Sequence, residues 1–183
     1  MKRALLLFRL VSVVYACFIC TVAGAGDKCD CLSEMNLIEA LSDERLRHND
    51  PDAYVAAIEC LGARKSVAAV NALVALLDYR RSYTDWQSAQ EMTLRTHVRA
   101  SFYPAVDALA TIGEPALPSV AQALAASGVD TERYRSASDV FLAVFWLARE
   151  DGASFLEKEA AGRPSDLERE RLLRAAERLR MSN

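Results

Sequence analysis

Apolar positions along most of this chain recur at helical spacing and are separated by short polar turns. Residues 53–77 read AYVAAIECLGARKSVAAVNALVALL, and residues 105–124 read AVDALATIGEPALPSVAQAL. In each segment an Ala-rich amphipathic run ends at a Leu-Gly or Ile-Gly pair (Gly62 and Gly113), and a second apolar run follows. One helical hairpin of this kind cannot bury its own apolar face, whereas stacked copies can. The near-repeat therefore predicts an α-solenoid.

The first part of the chain is predicted to hold three helices. One runs from Leu32 to about Arg47. Asp50 as the N-cap, with Pro51 at the first helical position, predicts the start of the second, and Gly62 predicts its end. The third runs over residues 66–78. The residues predicted to face the core are spaced three or four positions apart; they are Leu32, Met35, Ile38, Leu41, Tyr54, Val55, Ile58, Leu61, Val67, Val70, Leu73, Val74 and Leu77.

Capping residues predict the later helices. Thr84 and Thr131 each precede a helical pattern, and Ser165 forms a capping box with Glu168. Pro104 is predicted to kink or break the helix that contains it. The predicted breaks after residue 113 are at Ser127-Gly128, Asp151-Gly152 and Gly162-Arg163-Pro164. The inward positions predicted after residue 130 are Val140, Phe141, Val144, Phe145, Leu147, Leu167, Leu172, Leu173, Ala176 and Leu179.

These elements predict an all-α chain. The predicted fold class is a right-handed α-solenoid, with about three helical hairpins plus terminal capping helices. The predicted parts are a signal peptide at 1–25 and a solenoid domain at 26–183, with hairpins at about 50–78, 85–127 and 131–161 and a C-terminal cap at 165–181.

Two segments resemble a known repeat family. Residues 108–118, ALATIGEPALP, are similar to the helix–Gly–helix junction of HEAT-like repeats, including those of phycobilin-lyase-related proteins. Residues 69–77, AVNALVALL, resemble the second helix of that repeat, with Asn71 where proline is usual. The resemblance covers roughly residues 50–127 and implies a solenoid of HEAT or armadillo type that acts as a scaffold and binds other proteins. It implies no catalytic residue, because the family pattern consists of packing positions.

The N-terminus has the features of an export signal. Lys2 and Arg3 precede a largely apolar stretch, and Ala23-Gly24-Ala25 fits a small-x-small cleavage pattern. Cleavage after Ala25 would place the protein in the periplasm or outside the cell. The alternative is an uncleaved membrane anchor, although the uninterrupted stretch from Leu10 is shorter than the roughly 20 residues of a spanning helix.

The charge balance disfavours nucleic acid as the main partner. Removal of residues 1–25 would reduce 22 basic residues to 19 against 25 acidic ones, a net charge of −6. Binding to phosphates needs a surplus of Lys and Arg on at least one face.

Cysteine usage agrees with export. Cys29, Cys31 and Cys60 remain after the predicted cleavage. A disulfide between Cys60 and either Cys29 or Cys31 would hold the N-terminal segment on the first hairpin. The alternative, a metal site of three thiolates with no suitably spaced histidine, has weaker support.

No enzyme, cofactor or metal motif stands out in the sequence. His48 and His97 lie in different repeats, and Ser119 and Ser138 have no recognisable base. No Gly-rich phosphate loop, nucleophile elbow or paired His/Glu motif occurs. We therefore expect a non-catalytic protein without a cofactor.

One segment has the composition of a protein interface. Tyr79, Arg80, Arg81, Tyr83 and Trp86 lie within eight positions, between two repeats. Tyr, Trp and Arg are the residue types that anchor interfaces, and insertions between repeats are frequent binding elements. The alternative interpretation is that Tyr83 and Trp86 cover a groove between helices.

Three functions are compatible with this sequence. The favoured one is an exported module that binds another protein. The second is a lyase-like or chaperone-like protein that handles a small ligand or chromophore. The third is a structural subunit used in envelope assembly. The sequence does not distinguish the first from the third.

Overall fold

The regular secondary structure of the protein is helical. The computed structural model describes Cys29, residues 32–81 and residues 102–182, and no strand occurs within them. The α-helices are α1 Glu34–Ala40, α2 Glu44–Asn49, α3 Pro51–Ala63, α4 Val70–Ala75, α5 Pro104–Ile112, α6 Leu117–Ala126, α7 Glu132–Val144, α8 Arg149–Ala161 and α9 Asp166–Met181. Short 3-10 turns at Val67–Ala69 and Glu114–Ala116 precede α4 and α6. The all-α prediction is confirmed for this part of the chain.

Several helices begin where the sequence predicts. The carboxylate of Asp50 accepts a hydrogen bond from the backbone N–H of Ala53 at 3.0 Å, and Pro51 takes the first position of α3. The Thr131 hydroxyl caps α7 and the Ser165 hydroxyl caps α9 in the same way. Pro104 opens α5 at its first turn, where its missing N–H costs no hydrogen bond.

The predicted helix over residues 32–47 is wrong as one element, because it is divided into α1 and α2. The Asp43 carboxylate accepts hydrogen bonds from the backbone N–H groups of Arg45 and Leu46, and this cap starts a new helix. The division changes which face is inward. Met35, predicted to be in the core, is 64% exposed, whereas Leu37 is buried.

The glycines of the two near-repeats have different roles. Gly113 has a φ of 80°, which only glycine adopts readily, and it ends α5 as predicted. Gly62 does not end α3, which continues to Ala63 before Lys65 takes the left-handed conformation. A Cβ on Gly62 would lie 2.6 Å from the Cα of Ala108 in α5. Gly62 therefore allows the two helix backbones to touch.

The helices pack in a regular order of neighbours. Helix α5 lies between α3 and α7, and α6 lies between α4 and α9. Helices α1 and α2 cover the other side of α3. Helix α8 packs mainly on α9 and only slightly on α7.

Several predicted inward positions near the C-terminus are wrong. Helix α7 ends at Val144, so Leu147 lies in the following turn and is 96% exposed. Leu167 and Leu173 of α9 are also exposed, while Leu172, Ala176 and Leu179 of the same helix are buried as predicted.

Gly152 lies within α8 and does not interrupt it. It is packed under an aromatic ring. A Cβ there would lie 2.7 Å from ring atoms of Phe145. Near the N-terminus, Val67 is a further predicted core residue that is exposed, because it starts a 3-10 turn.

A continuous core joins all nine helices of the described residues. Leu109 is fully buried and Ile112 is nearly so, as the sequence predicts for these two positions. Two arginines also satisfy helix ends across this core. Arg133 donates to the carbonyl of Ala75 at the end of α4, and Arg171 donates to the carbonyl of Ala125 in the last turn of α6.

A disulfide ties the N-terminal segment to α3. Cys29 is paired with Cys60, with a Cα–Cα distance of 5.2 Å, so one of the two pairings left open by the sequence is found. The hydroxyl of Tyr54 donates to the carbonyl of Leu41 at 3.0 Å and fixes the end of α1. The Cys29–Cys60 disulfide is compatible with an oxidising compartment.

We expect this disulfide to contribute substantially to stability. It closes a loop with a sequence separation of 31 residues. The chain-entropy model gives a loss of about 3–4 kcal/mol in the free energy of unfolding when such a cross-link is removed. The comparison is Cys29→Ala/Cys31→Ala against Cys31→Ala, measured by urea unfolding followed by circular dichroism.

This pair of variants isolates the bond, because both retain Cys60 and neither can form a Cys31–Cys60 bond. Equal free energies of unfolding for the two variants would contradict the assignment of Cys29 as the partner of Cys60.

Candidate functional site

The segment after α4 begins in the core. Tyr79 is only 9% exposed, and its ring meets that of Tyr54 edge-on with centroids 5.1 Å apart. The Arg47 guanidinium lies over the Tyr79 ring, 5.0 Å from its centroid. Burial raises the pKa of both tyrosines, and the positive charge of Arg47 partly opposes this rise. Tyr79 thus links α2 and α3 to the segment that follows α4.

Arg81 contacts other residues of the same chain through both its side chain and its backbone. Its side chain, 21% exposed, forms an ion pair with Glu59 of α3. Its backbone N–H donates to the carbonyl of Phe102 at 2.9 Å. This hydrogen bond joins the two ends of the segment formed by residues 82–101. Glu59 of the same chain therefore already supplies a carboxylate for Arg81.

Arg80 differs from both of its neighbours. Its side chain is exposed, and its guanidinium lies over the ring of Phe102, 5.4 Å from the centroid. Cation–π contact of this kind orients the guanidinium while leaving its N–H groups available. Arg80 is thus the residue of the predicted interface segment that the structure presents to solvent. Tyr83 and Trp86, the other two members, lie outside the described residues.

The remaining candidates for chemistry are separated from one another. His48 is exposed at the end of α2, and its ring contacts Glu44 of the same helix. Ser119 bonds to Asn71 of α4, and the buried Ser138 donates to the carbonyl of Tyr134. His97 is outside the described residues. Among the residues that are described, no three His, Cys, Asp or Glu side chains lie close enough to share a metal ion.

The turn between α7 and α8 is a surface feature that the sequence pattern missed. Trp146 is 44% exposed, and Leu147 and Ala148 are also exposed. Arg149 lies over the Trp146 ring, 4.9 Å from its centroid. The helical spacing of apolar residues predicted that α7 continues through Leu147, and no sequence signal marks its end at Val144.

An ion-pair network joins the end of α9 to α8. Arg180 contacts Glu150 and Glu157, each at 2.7 Å. The hydrogen bonds from Arg180 lower the pKa of both carboxyl groups. Because these pKa values are lowered, any stabilisation is present above the ordinary glutamate pKa and is lost as the pH falls. All three groups are exposed, so the network positions the two helices more than it stabilises them.

Across the ranges 32–81 and 102–182, no helix has the length and apolar character needed to cross a bilayer.

Tyr79 and Arg80 should respond differently to substitution. Tyr79→Ala removes a buried aromatic side chain, and we expect a loss of about 3–5 kcal/mol in the free energy of unfolding. Arg80→Ala should change it by less than about 1 kcal/mol, the usual contribution of an exposed cation–π contact. Tyr79→Phe is the matched control and should stay close to the wild type. A Tyr79→Ala loss below about 1 kcal/mol would contradict the packed position of this ring.

Comparison with known proteins gives no relative from which a function could be transferred. No family model matches the chain, and neither the curated proteins nor the solved structures give a significant match. Function must therefore be inferred from the side chains and their packing.

Proposed function

We propose that this chain is an exported, non-catalytic scaffold that binds another protein, built as a short right-handed α-solenoid of HEAT-like repeats. The observation that carries the proposal is the order of neighbouring helices. Helices α3, α5 and α7 succeed one another, and α4, α6 and α9 do the same beside them. In a solenoid each repeat contacts its neighbours, and the extended faces between the two ends are free to bind.

The two ends of this arrangement also support the proposal. Helices α1 and α2 cover α3 at one end, where the disulfide holds them. Helix α9 at the other end buries one stripe and presents charged residues on its outer face. Terminal elements with a polar outer surface are what a short repeat array needs in order to remain soluble.

The proposed binding surface includes Arg80. This arginine is exposed, is oriented by Phe102 and forms no ion pair with a described residue. A guanidinium in this state can bind a carboxylate of a partner through two hydrogen bonds. Tyr83 and Trp86 follow within six positions in the sequence and belong to the same proposed binding segment. Tyr79 and Arg81 would position this surface, Tyr79 through its contact with Tyr54 and Arg81 through its ion pair with Glu59.

Export is the second part of the proposal. The positively charged start, the apolar stretch and the Ala23-Gly24-Ala25 pattern support a cleaved signal. The Cys29–Cys60 pair supports an oxidising compartment, which the periplasm and the extracellular space provide.

The test is affinity capture from envelope and secreted fractions with tagged wild-type protein and an Arg80→Ala variant. We expect the wild type to retain a specific protein and the variant to retain at least about fivefold less of it, which corresponds to a loss of about 1 kcal/mol in binding. Arg45→Ala is the matched control, because Arg45 is also exposed and forms no ion pair with a described residue, but it lies on α2. It should retain the protein as the wild type does.

Two results would contradict the proposal. One is the absence of any captured protein under conditions in which the wild type is folded. The other is co-purification of a light-absorbing small molecule, which would support the lyase-like or chaperone-like alternative.

A further inference from the structure

The turn between α7 and α8 forms an exposed apolar surface on a rigid base. Its three consecutive apolar residues, Trp146, Leu147 and Ala148, are all exposed. Leu142, Val144 and Phe145 precede them and are partly buried against the core. The exposed side chains of the turn therefore follow directly after side chains that pack against the core.

The backbone of this turn is fixed on both sides. The N–H of Ala148 donates to the carbonyl of Phe145 at 3.0 Å, and the carbonyl of Ala148 accepts from the N–H groups of Asp151 and Gly152. The Phe145 ring stacks on that of Phe141 with centroids 6.4 Å apart and packs over Gly152. Leu147 is thus held outward by structure around it. Binding through a preformed turn avoids the cost of ordering it.

The C-terminal turn of α9 lies beside the start of α8. The ion pair between Arg180 and Glu150 brings the end of α9 next to the start of α8. Met181, which follows Arg180, is a further exposed apolar side chain at this end. Single exposed apolar residues are common, but a group of them on one rigid turn indicates an interaction surface.

The charges beside this surface are of both signs. Glu150 is paired with Arg180. Its neighbours Arg149 and Asp151 form no ion pair within the described part of the chain, and the Arg149 guanidinium lies over the Trp146 ring. An unpaired positive charge and an unpaired negative charge therefore lie two positions apart, next to Leu147.

We propose that this turn is the contact between two copies of the chain in a homodimer. In a two-fold arrangement the same patch faces itself, so residue i of one copy meets residue j of the other. Leu147 of the two copies would pack near the axis, and Arg149 of each would pair with Asp151 of the other. A partner of one charge sign would leave either Arg149 or Asp151 unpaired, whereas a second copy pairs both. The dimer rests on residues other than those of the proposed protein-binding surface at Arg80.

We expect this dimer to be weak. One turn and the adjacent helix ends lie at the low end of interface sizes, so we expect a dissociation constant of about 10–100 μM. Sedimentation velocity of the full protein, purified from the compartment in which it accumulates, measures this constant directly. The sedimentation coefficient should rise toward that of a dimer between about 1 and 200 μM protein.

Leu147→Asp places two carboxylates at the axis and should raise the dissociation constant at least about tenfold. Because Leu147 is 96% exposed, the fold should not be affected. Leu167→Asp is the matched control, since Leu167 is exposed at the start of α9, in a different part of the surface. It should dimerise as the wild type does.

Charge exchange tests the pairing itself. Arg149→Asp and Asp151→Arg should each weaken self-association, because each homodimer would place like charges together. A mixture of the two variants should form a heterodimer more tightly than either variant associates with itself, since both cross-pairs then have opposite signs. A wild type that stays monomeric up to about 200 μM would overturn the proposal. So would a dimer that Leu147→Asp leaves intact, or a mixture that associates no better than its components.

Discussion

The contact between the backbones of α3 and α5 is the constraint on which the rest of the arrangement depends. Gly62 lies in the last turn of α3 directly against the Cα of Ala108, and no side chain larger than hydrogen fits between them. On its other side α3 carries α1, α2 and the disulfide, while α5 carries α7. The close approach of these two helices therefore sets how the N-terminal helices meet the remainder of the core.

This contact also explains the side chains around it. Small residues on both helices, including Ala57 and Ala105, are buried. Larger residues such as Ile58 and Leu109 are also fully buried. Close packing of this kind leaves little tolerance for added volume, since protein interiors are packed about as densely as organic crystals. The pair formed by α3 and α5 in turn positions two exposed features. Arg80 is next to Arg81, which forms an ion pair with Glu59 of α3, and the α7–α8 turn follows α7, which packs on α5.

The sequence predicted the helical class, most helix starts and much of the core because these depend on local rules. Asp50, Thr131 and Ser165 cap helices through their own side chains, and Gly113 needs only its own backbone freedom. The pairing of Cys60 was narrowed to two partners by the cysteine count. What local rules could not supply was the role of a residue in tertiary contact. Gly62 has the sequence context of a helix stop, and only its position against Ala108 shows that it is a packing position.

The exposed turn at Leu147 was missed for a related reason. The apolar spacing from Val140 to Leu147 continues at helical intervals, so the pattern alone predicts burial. Burial depends on whether another helix covers that face, and α8 packs mainly on α9 and only slightly on α7. Tyr79 shows the opposite case. The interface-like composition of residues 79–86 suggested that Tyr79 lies at the surface, but its ring is packed against Tyr54 and Arg47.

The most direct test of this account is the stability of Gly62→Ala, measured by urea unfolding against the wild type and Gly162→Ala. At an open helical position, glycine to alanine would stabilise the protein by up to about 1 kcal/mol. Gly162 follows α8, and its nearest neighbour to an added Cβ is 3.7 Å away, so Gly162→Ala should be neutral or slightly stabilising. At Gly62 the added methyl group must push α3 and α5 apart, and we predict a loss of about 2 kcal/mol or more. A Gly62→Ala protein as stable as the wild type, or more stable, would contradict the close contact between α3 and α5.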